Sequence, residues 1–218
     1  MKKVLITGAT GMIGGLILRY CLERDDVGKV TSISRRSSNI NHDNLSEVIH
    51  KDFMDLNSIS DHFENIDVCF FCIGVYTGQV STEEFRKITV DYTRSFAETL
   101  KSKSPDSTFC FLSGQGADSS ESSRVLFARE KGVAENILLS LTFPRTHIFR
   151  PGYIYPVQPR EEPNIGYSVL RMLYKPLSVI LPNMGLTSEK LAQTMVKVGM
   201  GESDVVYFEN KDIRLYPD

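Results

Sequence analysis

The chain lacks any apolar run long enough to cross a bilayer: stretches such as Val68 to Val75 fall far short of the ~20 residues that a spanning helix needs. It also lacks a strong charge of either sign. Lysine and arginine number 25 against 27 aspartate and glutamate, a formal net charge of −2 over 218 residues, so no global field draws it to nucleic acid or to an acidic membrane. The N-terminus enters a strand-like segment rather than the apolar region of a signal peptide, which leads to the expectation of a soluble, cytoplasmic protein. There is no internal repeat, and only Asp118 to Ser123 approaches low complexity. Cysteine is scarce. Cys69 and Cys72, two of four with Cys21 and Cys110, have the Cys-x-x-Cys spacing that elsewhere marks redox or zinc chemistry. Here the pair lies in the strand-like Asp67-Val-Cys-Phe-Phe-Cys-Ile-Gly, where residues three apart point to opposite faces. Two buried, separate thiols are expected, and no metal site.

What is present begins at once. Lys3 to Gly15 runs from a charged start through Val4, Leu5 and Ile6, a short apolar run suited to a strand buried on both faces, into a cluster of glycines. Gly8, Gly11 and Gly14 fall three residues apart. Gly8 suits a tight strand-to-helix turn, Gly11 an approach of pyrophosphate to the backbone, and Gly14 close packing of helix on strand. The helix that follows would aim its free N–H groups at the phosphates. The spacing is G-x-x-G-x-x-G rather than the dinucleotide fingerprint G-x-G-x-x-G. In that departure Thr7 to Gly14, Thr-Gly-Ala-Thr-Gly-Met-Ile-Gly, resembles the signature of atypical and extended short-chain dehydrogenase/reductases. The resemblance implies that Gly8, Thr10, Gly11, Met12, Ile13 and Gly14 contact a nicotinamide dinucleotide.

Alternating patterns continue along the chain. Met12 to Arg24 carries an apolar stripe at helical spacing, and Lys29 to Ser34 reads as the second strand. After that strand an NAD-binding fold usually places a carboxylate for the ribose 2′-hydroxyl. This chain has none there, and offers Arg35 and Arg36 instead. Two guanidiniums suit a 2′-phosphate, which predicts NADP(H) in preference to NAD(H); two solvated loop arginines are the plainer alternative. A third strand around Glu47 to His50 leads to Asp52 and Phe53, which in the resembled family would flank the adenine, although Asp52 reads equally well as a turn residue. Leu56 to Phe63 suggests a short helix capped by Asn57 or Ser58. The fourth strand, Val68 to Ile73, delivers Ile73 and Gly74 to the cofactor crevice. Thr82 to Ser102 is the longest helical segment, its aromatics assigned to the core, and Ser107 to Ser113 supplies a fifth strand.

Chemistry is less secure than binding. Short-chain dehydrogenases carry a Tyr-x-x-x-Lys pair one helical turn apart, the tyrosine moving the substrate proton and the lysine lowering its pKa and holding the ribose. The matching stretch here is Phe127-Ala-Arg-Glu-Lys131, and phenylalanine transfers no proton. Losing a general acid typically removes about 10²- to 10⁴-fold of rate. Lys131 and Ser113 remain as the family-implied catalytic pair, with Lys131 alternatively an exposed helix residue. Tyr76, Tyr153 and Tyr155 are equal candidates for a substitute donor, or structural tyrosines.

Arg145 to Phe149 forms the sixth strand and runs into Arg150-Pro151-Gly152, similar to the family's turn beside the cofactor, which makes Pro151 a cofactor contact. Beyond it, Pro156, Pro159 and Pro163 with Arg160, Glu161 and Glu162 form a breaker-rich loop, either a substrate mouth or a connector. Helices are expected over Tyr167 to Tyr174 and Thr187 to Met200, with a short strand at Val205 to Phe208 closing or edging the sheet. The sum is an α/β fold, a doubly wound parallel sheet of the NAD(P)-binding Rossmann type in the order 3-2-1-4-5-6. It is expected as one domain over 1–218, with about 152–200 as a small substrate-side lobe. Leu112-Ser113-x-x-Gly116-Ala117-Asp118, Lys131-Gly132 and Phe149-Arg150-Pro151-Gly152 resemble most the NmrA-like and Tat-interactive-protein-like group. That resemblance implies either an NADP(H)-dependent oxidoreductase on a small carbonyl or hydroxyl compound, with a non-standard proton donor, or a redox-inactive NADP(H) sensor with a protein partner.

Overall fold

The computed structural model describes residues 1–157, 183 and 185–217. Seven parallel strands form its centre: β1 (Lys2–Thr7), β2 (Val27–Ser34), β3 (Leu45–Ile49), β4 (Val68–Phe71), β5 (Thr108–Leu112), β6 (Arg145–Arg150) and, skipping ahead in the chain, β9 (Tyr207–Glu209). Their spatial order is β3-β2-β1-β4-β5-β6-β9, the expected doubly wound arrangement extended by one edge strand. Tyr207–Glu209, rather than the expected Val205 to Phe208, therefore edges the sheet, with Phe149 of β6 opposite Phe208 of β9. The strands stay in register at their C-terminal ends, Thr7 beside Ile33 and Phe71, and Ser34 beside Ile49. Every loop that carries a candidate cofactor contact therefore leaves the same edge of the sheet.

Side-chain alternation sorts the core into two layers. On one face Val4, Ile6, Phe70 and Phe149 pack with Ile13 and Ile17 of α1 (Met12–Leu22), and with Leu191 and Met195 of α5, the Ser188–Met200 helix. On the other, Leu5, Phe71, Phe109 and Ile148 meet Phe96 and Leu100 of α3 (Tyr92–Lys103) and Ala134 and Leu138 of α4 (Leu126–Ser140). Cys69 belongs to the second layer and Cys72 packs against the first, so the Cys-x-x-Cys pair is split by the sheet and all four cysteines are free thiols.

Several boundaries differ from expectation. The long helical segment starts as α2 (Thr82–Arg86), capped by the Ser81 hydroxyl accepting from the Glu84 N–H at 3.1 Å, then widens into a π-helical turn over Lys87–Asp91 before continuing as α3. Apolar spacing alone does not encode such a turn. Asn57–Phe63 is a 3₁₀ helix with no side chain of its own as cap; the Asp55 carboxylate accepts from the Asn57 N–H instead, at 3.0 Å. Helix α5 is capped by the Thr187 hydroxyl, which accepts from the Lys190 N–H at 3.2 Å. Helix α6 (Asn210–Leu215) follows β9. Strands β7 (Tyr153–Tyr155) and β8 (Gly185–Thr187) pair with each other outside the main sheet. The expected helix over 167–174 and the loop residues Pro159, Arg160, Glu161, Glu162 and Pro163 lie outside the described residues.

Candidate functional site

The turn after β1 has a shape only glycine permits at two points. Gly8 adopts φ +72, and a Cβ there would lie 2.6 Å from the Cys72 carbonyl oxygen. A Cβ at Gly14 would lie 2.3 Å from the Gly8 carbonyl oxygen, so α1 comes down directly on the turn. Gly11 is the N-cap of α1 and supplies no side-chain cap, which leaves first-turn N–H groups open to an anion.

Beside this turn lies a crevice of about 670 Å³. Gly8, Thr10 and Gly11 form one wall, Ser34, Arg35, Arg36 and Lys51 a polar and basic one, and Phe53, Ile73, Gly74, Ile88 and Tyr92 the apolar remainder. Among the described residues Arg35, Arg36 and Lys51 have neither a hydrogen-bond nor an ion-pair partner. A cluster of three cations without a carboxylate is unfavourable by itself and favourable around a phosphate. Lys51 escaped the sequence reading, yet it follows β3 by two residues as Arg36 follows β2, and the strands end side by side. The aromatic Tyr92, expected in the core, and the buried Ile88 both border the crevice, presented to it by the start of α3 and the π-helical turn.

Phe53, on the crevice wall, is 2% exposed and packs at a tilt against Tyr92, ring centroids 5.6 Å apart. Other expected contacts lie elsewhere. Asp52 is off the crevice wall and accepts from the Met54 N–H at 3.0 Å. Ile13 and Gly14 are buried on the inner face of α1, and Met12 lines a neighbouring cavity. Pro151 is buried, its carbonyl accepting from the Gln115 N–H at 2.8 Å.

Helix α4 carries three buried ionisable residues, Glu130, Lys131 and Glu135. Lys131 is 7% exposed rather than a surface residue; its ammonium donates to the Leu112 carbonyl at 3.0 Å and lies 4.8 Å from the Phe111 ring centroid. Burial lowers its pKa to about 8, against the opposing pull of the Glu135 carboxylate. Ser113 donates its hydroxyl to Glu135, which is fully buried and also held by Arg150, Nε to Oε1 at 3.1 Å and Nη2 to Oε2 at 2.5 Å. Arg150 in turn stacks over Tyr207 at 4.4 Å and pairs with Glu209 at 3.0 Å. The two expected catalytic residues thus sit in different settings, Lys131 under the end of β5 and Ser113 in an ionic network that joins α4, β6 and β9. Phe127 lies against Gly114, where a Cβ would stand 2.5 Å from the ring's Cζ. Tyr76, Tyr153 and Tyr155 are half-buried, and none lines the crevice. The Cys72 thiol does line it, but burial pushes its pKa up to about 12, which leaves it a poor nucleophile. Among the described residues no group of His, Cys, Asp and Glu could hold a metal ion.

A glycine turn with an open helix N-terminus, at the C-terminal edge of a doubly wound sheet, is dinucleotide-binding architecture. The NAD dependent epimerase/dehydratase family matches residues 4–127, more than half of the chain and the whole of this crevice. The chain belongs to that family. Two curated proteins are similar to this epimerase/dehydratase-family chain over much of its length. Protein HTATIP2 of Rattus norvegicus is 32% identical over 155 residues, covering 70% of this chain and 63% of the relative. Protein FMP52, mitochondrial, of Debaryomyces hansenii is 30% identical over 152 residues, 69% of this chain and 66% of the relative. The chain spans just under two thirds of each of these relatives. Solved structures share the fold: a short chain dehydrogenase family protein from Francisella tularensis has a TM-score of 0.68 at 12% identity, covering 97% of this chain and 98% of its own. The Bordetella bronchiseptica enzyme WbmF, solved with NAD+, has a TM-score of 0.70 at 12% identity, over 96% of this chain and 72% of its own. No helix among the described residues is long and apolar enough to cross a membrane.

Proposed function

We propose that this epimerase/dehydratase-family chain binds NADP(H) in preference to NAD(H), and uses it to reduce or oxidise a small carbonyl or hydroxyl compound. The observation that carries the first half is the unpartnered cluster of Arg35, Arg36 and Lys51 beside Ser34 and the glycine turn. The turn and the open N-terminus of α1 would hold the pyrophosphate, the basic wall the ribose 2′-phosphate, and Phe53, Ile73 and Ile88 the adenine end. When bound, the nicotinamide supplies or accepts hydride.

Lys131 supports the second half. An amine held near pKa 8 can change protonation close to neutral pH, as a general acid should. Its place one helical turn beyond Phe127 is the position from which family lysines reach the ribose. Phe127 favours the other reading, a redox-inactive NADP(H) sensor that reports to a protein partner. The cytoplasm is the proposed compartment, although the Debaryomyces relative is named as mitochondrial; fractionation of tagged protein tests it.

Titration with NADPH and NADH is the decisive measurement. NADPH is expected to bind at least about tenfold more tightly, and Arg36→Ala or Lys51→Ala to erase most of the difference while leaving NADH affinity in place. Equal affinities in the unaltered chain overturn the cofactor assignment. Turnover of NADPH with aldehydes, ketones or quinones that disappears in Lys131→Ala overturns the sensor reading; no turnover with any of them overturns the oxidoreductase one.

A further inference from the structure

A second cavity, of about 640 Å³, adjoins the crevice at the glycine turn and shares Thr10, Gly11 and Arg36 with it. Its volume falls within the ~300–1,000 Å³ usual for small-molecule sites. Met12 and Leu16 of α1, Ile40 and Pro156 give it an apolar side. Arg19, Arg36 and Asn39 give it a polar one. Arg19 stands three and four residues beyond Leu16 and Gly15, so all three share one face of α1.

The surrounding hydrogen bonds leave that polar side open. Glu47 accepts from the Ser37 hydroxyl at 2.6 Å and from the Ser38 N–H at 2.7 Å, which fastens the loop carrying Arg36 and Asn39 without neutralising either arginine. Glu189 is bonded to the Ser188 hydroxyl at 3.2 Å. Among the described residues no carboxylate lines the cavity, and Arg19 and Arg36 have no partner. The position of Arg19 in the last turn of α1 accounts for a cation there, through the helix dipole, but not for a second guanidinium across the same cavity.

We infer that this cavity is a second ligand site, for a small anion, a phosphate monoester or a carboxylate, attached to an apolar body. Guanidiniums match both anions in bidentate geometry, and the apolar wall takes the rest. Because Arg36 also borders the crevice, the two sites compete for it. The inner ligand meets competition for Arg36 only if it carries a 2′-phosphate, so the second site weakens NADP(H) binding more than NAD(H) binding, and the coupling is reciprocal. This coupling rests on the proposed place of the 2′-phosphate; the site itself does not.

Calorimetric titration of the chain saturated with NAD+ by phenyl phosphate and, separately, by benzoate tests the site and tells the two anion classes apart. Saturable binding of one or both at a single site is expected, weakened about tenfold or more by the exposed Arg19→Ala, with NAD+ affinity unchanged. No saturable binding, or binding indifferent to Arg19→Ala, overturns the inference. Loss of NADP+ affinity in Arg19→Ala with NAD+ affinity intact overturns it as well, since the cavity would then be the seat of the 2′-phosphate itself. If NAD+ does not bind, the cofactor assignment fails on its own, and the same titration on the unloaded chain still judges the site by its dependence on Arg19.

Discussion

Lys131 shows how much one buried charge can decide. Its side chain lies where water hardly reaches, and desolvation brings its pKa from 10.5 to about 8. A lysine whose pKa falls on folding stabilises the fold least where both states carry the proton. The cost is therefore complete below about pH 8 and relieved as pH rises toward 10.5, where the unfolded chain holds more protons. Urea unfolding of the unaltered chain and of Lys131→Met across this window is expected to show the stability difference shifting in favour of the unaltered chain as pH rises; a pH-independent difference would contradict the burial. Ser113 carries a different lesson. Its hydroxyl serves the Glu135 carboxylate, so Ser113→Ala removes a donor from a fully buried charge. A loss of about 1–3 kcal/mol in unfolding free energy is expected, with cofactor affinity retained.

At the scale of elements, α4 and the α2–α3 segment divide the work of building the site. Helix α4 brings Lys131 under β5 and ties Glu135 through Arg150 to β6, which runs directly into the turn at Pro151. The π-helical turn between α2 and α3 faces Ile88 into the crevice, while Phe96, one helix further on, stays in the core. Phe96 is fully buried with ring centroids 4.7 Å from Phe63 and 5.4 Å from Phe71, and it also backs Phe53 at 6.4 Å. Truncation to alanine is expected to cost about 3–5 kcal/mol in urea unfolding, from lost burial and the cavity left behind. A cost below about 1 kcal/mol would mean that the aromatic cluster repacks around the gap.

Across the whole molecule, the sheet edge connects cofactor binding to stability. The crevice takes residues from the ends of β1, β2, β3 and β4, so a ligand there holds four strands together and favours the folded state by mass action. NADPH at a hundred times its dissociation constant should add about 2.7 kcal/mol, roughly 5–11 °C in Tm for a chain of this size, and NADH at the same concentration less. A Tm indifferent to both would remove the dinucleotide from the account. Much of this architecture was open to reading in one dimension. Strand and helix alternation, the Gly8-to-Gly14 spacing and the arginines after β2 depend on local period and short-range sterics, which a linear sequence records directly, and they led to the sheet order and the crevice. Lys51 beside Arg36, Ile88 and Tyr92 facing the crevice, Ser113 bound to Glu135 and the cavity shared by Arg19 and Arg36 depend on strand register, an unforeseen π-helical turn and contacts between distant segments. Those were decided only when packing set which neighbours each charge met, because an unpaired guanidinium and a paired one are the same letter until the fold supplies or withholds its carboxylate.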